Sequence, residues 1–260
     1  MLICPKCNQS LKKNKNVWCC ENHHTYDIAK RGYVHLALHQ KKNTGDDKEM
    51  VKARTRFLSH GYYEILRNEL NRITEQYNPH IIVDAGCGEG YYTNYIKNEE
   101  NEIYGFDLSK HAVDEACKAR NQVQYVVASV FHLPLSDVCC DMVLSVFAPF
   151  DDQEFYRVLK HEGIFVKVGP GPRHLMGLKE VLYDEPYENA SETINYDGFV
   201  LEDTIMLDDM ITIEDKQDIQ ALFHMTPYYW KTSRNAVEKL EKVTNLKTEI
   251  QFQIEIYRRK

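Results

Sequence analysis

The chain has 260 residues, 43% of them hydrophobic and 27% charged, with a net charge of −7. That length can bury one large core plus a small appendage, in ordinary globular proportions. No apolar run approaches the ~18 residues of a membrane span, and the start, "MLICPKC", lacks the basic stretch and apolar core of a secretory signal, so no membrane partner and a cytoplasmic location are expected.

Six soft or imidazole side chains stand within the first 24 residues: Cys4, Cys7, Cys19, Cys20, His23 and His24. In a reducing compartment such cysteines are thiols or metal ligands rather than disulfides. A Cys-x2-Cys pair fixes two ligands on one turn, and a later Cys-x3-His completes a tetrahedral zinc pattern. Spacing does not choose between Cys19/His23 and Cys20/His24, because both pairs are three residues apart. Residues 1–36 are too few to hold a core of their own, so a structural zinc is expected to supply folding energy to this module.

Residues 1–72 carry 14 Lys/Arg against 7 Asp/Glu, a net of +7, and the remainder carries 18 against 32, a net of −14. A basic front on an acidic body can steer a polyanion to one face. A solvated lysine-rich loop is the plainer alternative. The run Lys41–Glu49 reads as an exposed loop or linker. Beyond it Ala53, Phe57, Leu58, Ile65, Leu66, Leu70 and Ile73 recur at helical intervals, which predicts two helices broken near Gly61. Residues 37–78 are therefore a linker with helices.

From Pro79 to the end the pattern changes. "HIIVDAG", "EIYGFDLS", "QYVVAS", "DMVLSVF" and "GIFVKVG" are predicted strands. "GYYTNYIKN", "KHAVDEACKAR" and "DQEFYRVLK" are the predicted helices between them. This alternation implies right-handed βαβ units and a doubly wound α/β fold, a parallel sheet with helices on both faces. "HLMGLKEVLY" is a predicted helix, and "FVLEDTIML" and "TEIQFQIEIY" are further predicted strands with helical segments between them. Residues 79–260 form one domain on this reading.

"VDAGCGEG", Val83–Gly90, falls where the first of these strands meets the first helix, and ligand crevices of such sheets lie beyond the strands' carboxyl ends. Gly86 and Gly88 let the backbone approach a ligand closely. The spacing is Gly-x-Gly-x-Gly, not the Gly-x-Gly-x-x-Gly that packs a dinucleotide pyrophosphate. Glu89 at the helix start would repel a phosphate and suits a cationic ligand. Asp107 ends the second strand, placed to accept hydrogen bonds from a ribose diol. Asp84, Gly86, Gly88, Glu89 and Asp107 are thus the candidate cofactor residues, with a nicotinamide enzyme as the rival reading. Strand, DxGxGxG, helix, strand and Asp, followed by "VASVFHLPLSD", together resemble the S-adenosylmethionine site of class I methyltransferases. "FAPF", Phe147–Phe150, offers no polar residue where many base-methylating relatives bind a target amine, so an exocyclic amine is the less favoured acceptor.

A closer resemblance rests on "CPKC…CCENHHTYDIAKRGYVHL", "RTRFLSHGYY", "DAGCGEGYYT", "GPGPRHLMGLKEVLY" and "MTPYYW". These segments resemble the 23S ribosomal RNA (guanine-N1)-methyltransferases nearly end to end. Gly177 departs from the Glu that relatives often carry in the "GPRHLMELK" phrase. The resemblance implies zinc ligands at Cys4, Cys7, Cys20 and His24, because the Cys-x3-His-x-(Phe/Tyr)-Asp phrase aligns only when Tyr26 and Asp27 follow His24. It also implies cofactor contacts at Tyr63 and His174, a structural zinc, and methylation of guanine N1 in a hairpin of 23S ribosomal RNA. Lys6, Lys12, Lys13, Lys15, Lys30 and Arg31 would face the RNA, and two zinc modules of a homodimer would line a shared RNA cleft. The alternatives are a class I methyltransferase acting on another RNA site or a tRNA, and a non-catalytic zinc-ribbon RNA-binding protein. Intact Asp84, Gly86, Gly88 and Asp107 argue against the last.

Overall fold

The computed structural model describes residues 1–38, 45–190 and 194–260. The N-terminal stretch forms a three-stranded antiparallel sheet of β1 (Lys12–Asn14), β2 (Val17–Cys19) and β3 (Thr25–Asp27), in the order β1-β2-β3. It is not a separate body. Just after it β4 (Val34–His35) joins the main sheet, parallel to a later strand, β7 (Gln124–Val127). Leu2 bridges to Leu135, and the Ile3 amide donates to the Pro134 carbonyl at 2.9 Å. Leu2, Cys4, Leu11 and Cys20 share a buried cluster with Leu133, Leu135, Val126 and Phe165 of the large domain. The module therefore borrows a core that its own residues are too few to build.

Two helices follow, α1 (Lys48–Ser59) and α2 (Glu64–Tyr77), separated by a turn in which Gly61 takes φ +83°. The expected loop Lys41–Glu49 ends earlier than its polarity suggests. Asp47 caps α1, its carboxylate accepting from the Met50 amide at 2.8 Å, so Lys48 and Glu49 are already helical. Lys41–Thr44 lie outside the described residues. Helix α2 buries Leu66, Leu70, Ile73 and Thr74, one stripe at helical spacing.

The domain continues with β5 (Ile81–Ala85), α3 (Tyr91–Ile96), β6 (Glu102–Asp107), α4 (Lys110–Ala116), β7, β8 (Cys140–Val146), α5 (Asp152–Val158) and β9 (Leu159–Pro170). Then come α6 (Met176–Leu182), β10 (Phe199–Ile213), α7 (Lys216–His224), α8 (Arg234–Leu240) and β11 (Leu246–Arg259). The eight-stranded sheet has the order β10-β11-β9-β8-β5-β6-β7-β4. The strands from β9 to β4 are parallel, whereas β11 is antiparallel to β9 and β10 is antiparallel to β11. The sheet is thus mixed, not wholly parallel. Neighbouring residues of the inner strands enter different clusters. Ile82, Met142 and Leu144 pack with α2, α6 and α7 on one face, and Val83, Val143 and Phe165 pack with α5 and the N-terminal module on the other.

Local boundaries also shift. The helix expected through Lys160 stops at Val158, and Leu159 opens β9. Strand β10 runs six residues past the predicted "FVLEDTIML", because its edge position needs only pairing with β11, not an apolar face. The alternation expected in β11 holds only at its start. Glu255, polar by pattern, is buried and paired with Lys167 at 2.5 Å.

Candidate metal cluster and cofactor crevice

Cys4 and Cys7 lie before β1, Cys20 directly follows β2, and His24 precedes β3, so the β2–β3 turn folds its ligands back onto the first pair. One donor atom from each of the four lies within 4.8 Å of every other. A tetrahedral ion with Zn–S near 2.3 Å and Zn–N near 2.0 Å places sulfurs about 3.8 Å apart and sulfur about 3.5 Å from nitrogen. Cys7 Sγ stands 3.7 Å from Cys20 Sγ, and His24 Nδ1 stands 3.4 Å from Cys4 Sγ and 3.5 Å from Cys20 Sγ. The donor set fits zinc, with Nδ1 as the imidazole ligand. Burial would raise the Cys4 thiol, but the Tyr26 hydroxyl, 3.1 Å from its sulfur, and nearby amides outweigh it and bring Cys4 down to about 6. At Cys4 the thiolate a metal needs is thus favoured, whereas burial pushes the Cys20 thiol up. The neighbours stay outside: Cys19 Sγ faces the Lys12 carbonyl at 3.6 Å, and His23 takes up the left-handed turn at φ +60°.

The basic residues around this cluster are exposed at Lys6, Lys12, Lys13, Lys15 and Lys30. Arg31 is engaged instead, paired with Asp114 of α4 at 2.8 Å.

At the carboxyl ends of β5 and β6 the glycine loop meets Asp84 and Asp107. Gly86 is at φ +90°, and a Cβ there would collide with the Ala148 methyl, so this glycine is required by packing against the loop after β8. Gly88, at φ +54°, lies against the Arg54 guanidinium, its would-be Cβ 3.2 Å from Nη2. Asp84 is buried, and Oδ2 accepts from the Thr93 hydroxyl at 2.5 Å while Oδ1 has no hydrogen-bond partner among the described residues. Burial pushes this carboxyl up to about 7, against the Thr93 bond that lowers it. Asp107 accepts the Gly88 amide at 3.0 Å and the Ser109 amide at 2.7 Å, one on each oxygen. A carboxylate has about four lone-pair sites, so both oxygens can still accept from a ribose diol. Burial raises Asp107 even though the Ser109 amide and the Arg54 charge draw it down. Glu89 is not a free carboxylate: Arg54 Nε donates to it at 2.5 Å.

Tyr63 and His174, 111 residues apart, are brought into contact. The Tyr63 hydroxyl stands 3.2 Å from His174 Nε2, and the Gln251 amide donates to His174 Nδ1 at 3.2 Å. Burial holds His174 down at about 4, so the ring is neutral. With Nδ1 accepting, the proton is on Nε2 and faces Tyr63. The imidazole therefore offers that side an N–H and no lone pair, and His174 is not placed to be a general base. Phe147 links the two halves of the crevice. It follows β8 at φ +52°, and its ring lies 5.6 Å from that of His174, while the adjacent Ala148 covers Gly86. Left-handed backbone in so bulky a residue is strain that concentrates at ligand sites. Neither Phe147 nor Arg54 carries a spacing signal in the sequence. Nothing but the fold brings α1 onto the glycine loop.

The open Asp84 oxygen, the close-approach glycines and the acceptors on Asp107 suit a cofactor with cationic and ribose groups. Comparisons with known proteins agree. Residues 2–44 match the zinc-ribbon family described as RlmA, N-terminal, and residues 83–167 match the methyltransferase domain family, which implies S-adenosylmethionine as cofactor. A Bacillus subtilis protein provisionally named a 23S rRNA (guanine-N1)-methyltransferase is 30% identical over 94% of this chain and 92% of its own length. A Streptomyces fradiae 23S rRNA (guanine(748)-N(1))-methyltransferase is 35% identical over 70% of this chain and 67% of its own. The crystal structure of a Bacillus halodurans protein provisionally described as a methyltransferase shares the fold, with a TM-score of 0.51 at 17% identity over 74% of this chain and 97% of that one.

Proposed function

We propose that this chain, which belongs to the family of 23S rRNA (guanine-N1)-methyltransferases, transfers the methyl group of S-adenosylmethionine to N1 of a guanine in a hairpin of 23S ribosomal RNA. The observation that carries this reading is the joining of the metal cluster to the cofactor crevice. Leu2 and Ile3 clamp the module onto Pro134–Leu135, part of the segment after β7 that would face the adenine in a class I methyltransferase. The exposed lysines sit on the module that packs against the domain holding the crevice. Phosphate contacts from such residues position RNA, and the crevice reads one base from a loop.

S-adenosylmethionine supplies an activated methyl, so the protein's work is alignment and exclusion of water. Asp107 would hold the ribose, Gly86, Gly88 and Glu89 would frame the amino-acid end, and Asp84 would offer its open oxygen. Tyr63 and His174 would close the far wall. Cys4, Cys7, Cys20 and His24 would hold a structural zinc, four protein ligands leaving no open position. As N1 gains the methyl it gives up its proton. Its Watson–Crick edge must be uncovered, which requires an unpaired or flipped-out base. In this reading residues 1–36 are the RNA-recognition module, 37–78 the linking helices and 79–260 the transferase domain. The enzyme works in the cytoplasm, as a homodimer whose two modules line one RNA cleft.

The test is direct. The protein is incubated with labelled cofactor and unmodified ribosomal RNA, and the RNA is digested to nucleosides. Label in 1-methylguanine is expected. Label in N2-methylguanine, a methyladenine or the protein itself overturns the assignment.

A further inference from the structure

Arg54 of α1 reaches into the acidic end of the crevice. Its Nε donates to Glu89 at 2.5 Å and its Nη1 to Asp46 at 2.5 Å. The third nitrogen, Nη2, is screened from solvent and has no hydrogen-bond partner among the described residues, although it lies beside Gly88 of the glycine loop. A guanidinium presents five N–H donors in a fixed fork, and a buried donor left open is costly enough to call for an acceptor. Asp46 and Glu89 hold the guanidinium in place and Asp107 feels its charge, so an anionic ligand group reaching Nη2 would meet a cation already fixed there.

We infer that Arg54 binds the α-carboxylate of the cofactor's methionine moiety through Nη2, and so sets how the amino-acid end seats on the glycine loop. This inference rests on S-adenosylmethionine as the cofactor. The α-carboxylate and α-ammonium share one carbon, so their binding site needs a cation and an anion side by side. The Arg54–Glu89 pair supplies both at the loop. A carboxylate set against Glu89 or Asp84 without this arginine would meet like charge alone. Because Nη2 is screened, the ligand must displace part of what covers it. The turn that leads into α1 is tied to the same guanidinium through Asp46, whose carbonyl accepts from the Ser109 hydroxyl at 2.6 Å. Arg54 is thus also the link by which a seated cofactor would be felt at the start of α1.

The experiment compares S-adenosylmethionine with its decarboxylated form, which differs only in lacking the carboxylate, by titration calorimetry on the full-length protein. The wild type should bind the carboxylate-bearing compound roughly ten- to a hundredfold more tightly, the size of a charged hydrogen bond. In Arg54→Met that preference should shrink to about twofold or less, whatever happens to the absolute affinities. Removing the arginine strands Glu89 and Asp46, so Arg54→Met can fail to fold. Arg54→Lys keeps the charge but cannot reach three acceptors at once, and it should lose most of the preference while remaining folded. A wild-type preference retained in either folded variant, or absent from the wild type, overturns the inference. Binding of neither compound by the folded wild type overturns the cofactor reading beneath it.

Discussion

The metal cluster and the cofactor crevice are built in opposite ways. The cluster draws four ligands from residues 4–24, whose donor atoms all lie within 4.8 Å of one another, and the Cys7–Cys20, Cys4–His24 and Cys20–His24 pairs already stand at tetrahedral separations of 3.4–3.7 Å. The crevice draws Arg54, Tyr63, Asp84, Asp107, Phe147, His174 and the Gln251 amide from nearly the whole chain. A local cluster closes short loops and depends on an ion for much of its folding energy. A crevice at strand ends is held by the core beneath it and needs no ligand to exist. The first should therefore fail all at once and the second by degrees.

The sharpest way to break that comparison is at the cysteines. Cys20→Ser should lower zinc from one ion per chain to none by metal analysis, whereas Cys19→Ser should keep it. The reverse outcome would reassign the ligands to the other pair. If the two sites are energetically separate, folded Cys20→Ser should leave S-adenosylmethionine affinity within about twofold of wild type, since distant substitutions couple weakly.

The crevice should respond in graded fashion. On the proposed ribose role of Asp107, Asp107→Ala removes an acceptor for the hydroxyls, and affinity should fall roughly ten- to a hundredfold by calorimetry, because a hydrogen bond to a charged group contributes ~1.5–3 kcal/mol. Unchanged affinity in a folded variant would remove Asp107 from the site.

Asp84 adds a pH dependence of known sign. Its folded pKa, about 7, stands above the ordinary carboxyl value because burial disfavours the charge. Its contribution to stability is therefore full below the unfolded pKa of ~3.9 and is lost as pH rises through 7. A cationic ligand favours the ionised form, so cofactor affinity should rise between pH 6 and 8, by up to about tenfold, with proton release on binding. Calorimetry in buffers of different ionisation heat measures that release. A flat profile in wild type, or the same rise in Asp84→Asn, would assign the effect elsewhere.

The smallest expected change separates the basic module from the acidic body. Charge reversal at Lys12, Lys13 and Lys15 should reduce the salt slope of RNA binding by about two, in line with ~0.7 counterions per phosphate contact on single strands. Lys12 already pairs with exposed Glu21 at 3.6 Å, so its share should be the least of the three. Cofactor affinity should hardly move, and an unchanged salt slope would place the RNA on another surface.

What the sequence by itself determined is what short-range spacing can encode. Cys-x2-Cys with Cys-x3-His implied a zinc site, hydrophobic runs between helical stretches implied the βαβ order, and DxGxGxG with Asp107 marked the strand ends. Each of these depends on neighbours within about twenty residues, where bond lengths and helical or strand period limit the geometry. The choice between two equally spaced Cys/His pairs came from family likeness, and the fold then drew Cys20 and His24, not Cys19 and His23, to Cys4 and Cys7. Tertiary structure alone decided that Gly86 is also needed to make room for Ala148. It also decided that Glu89 is tied to Arg54, that Arg31 pairs with Asp114, and that Val34–His35 joins the large sheet. These are contacts between segments 35 to 92 residues apart. No local pattern carries them, because which surfaces meet depends on how the whole core closes.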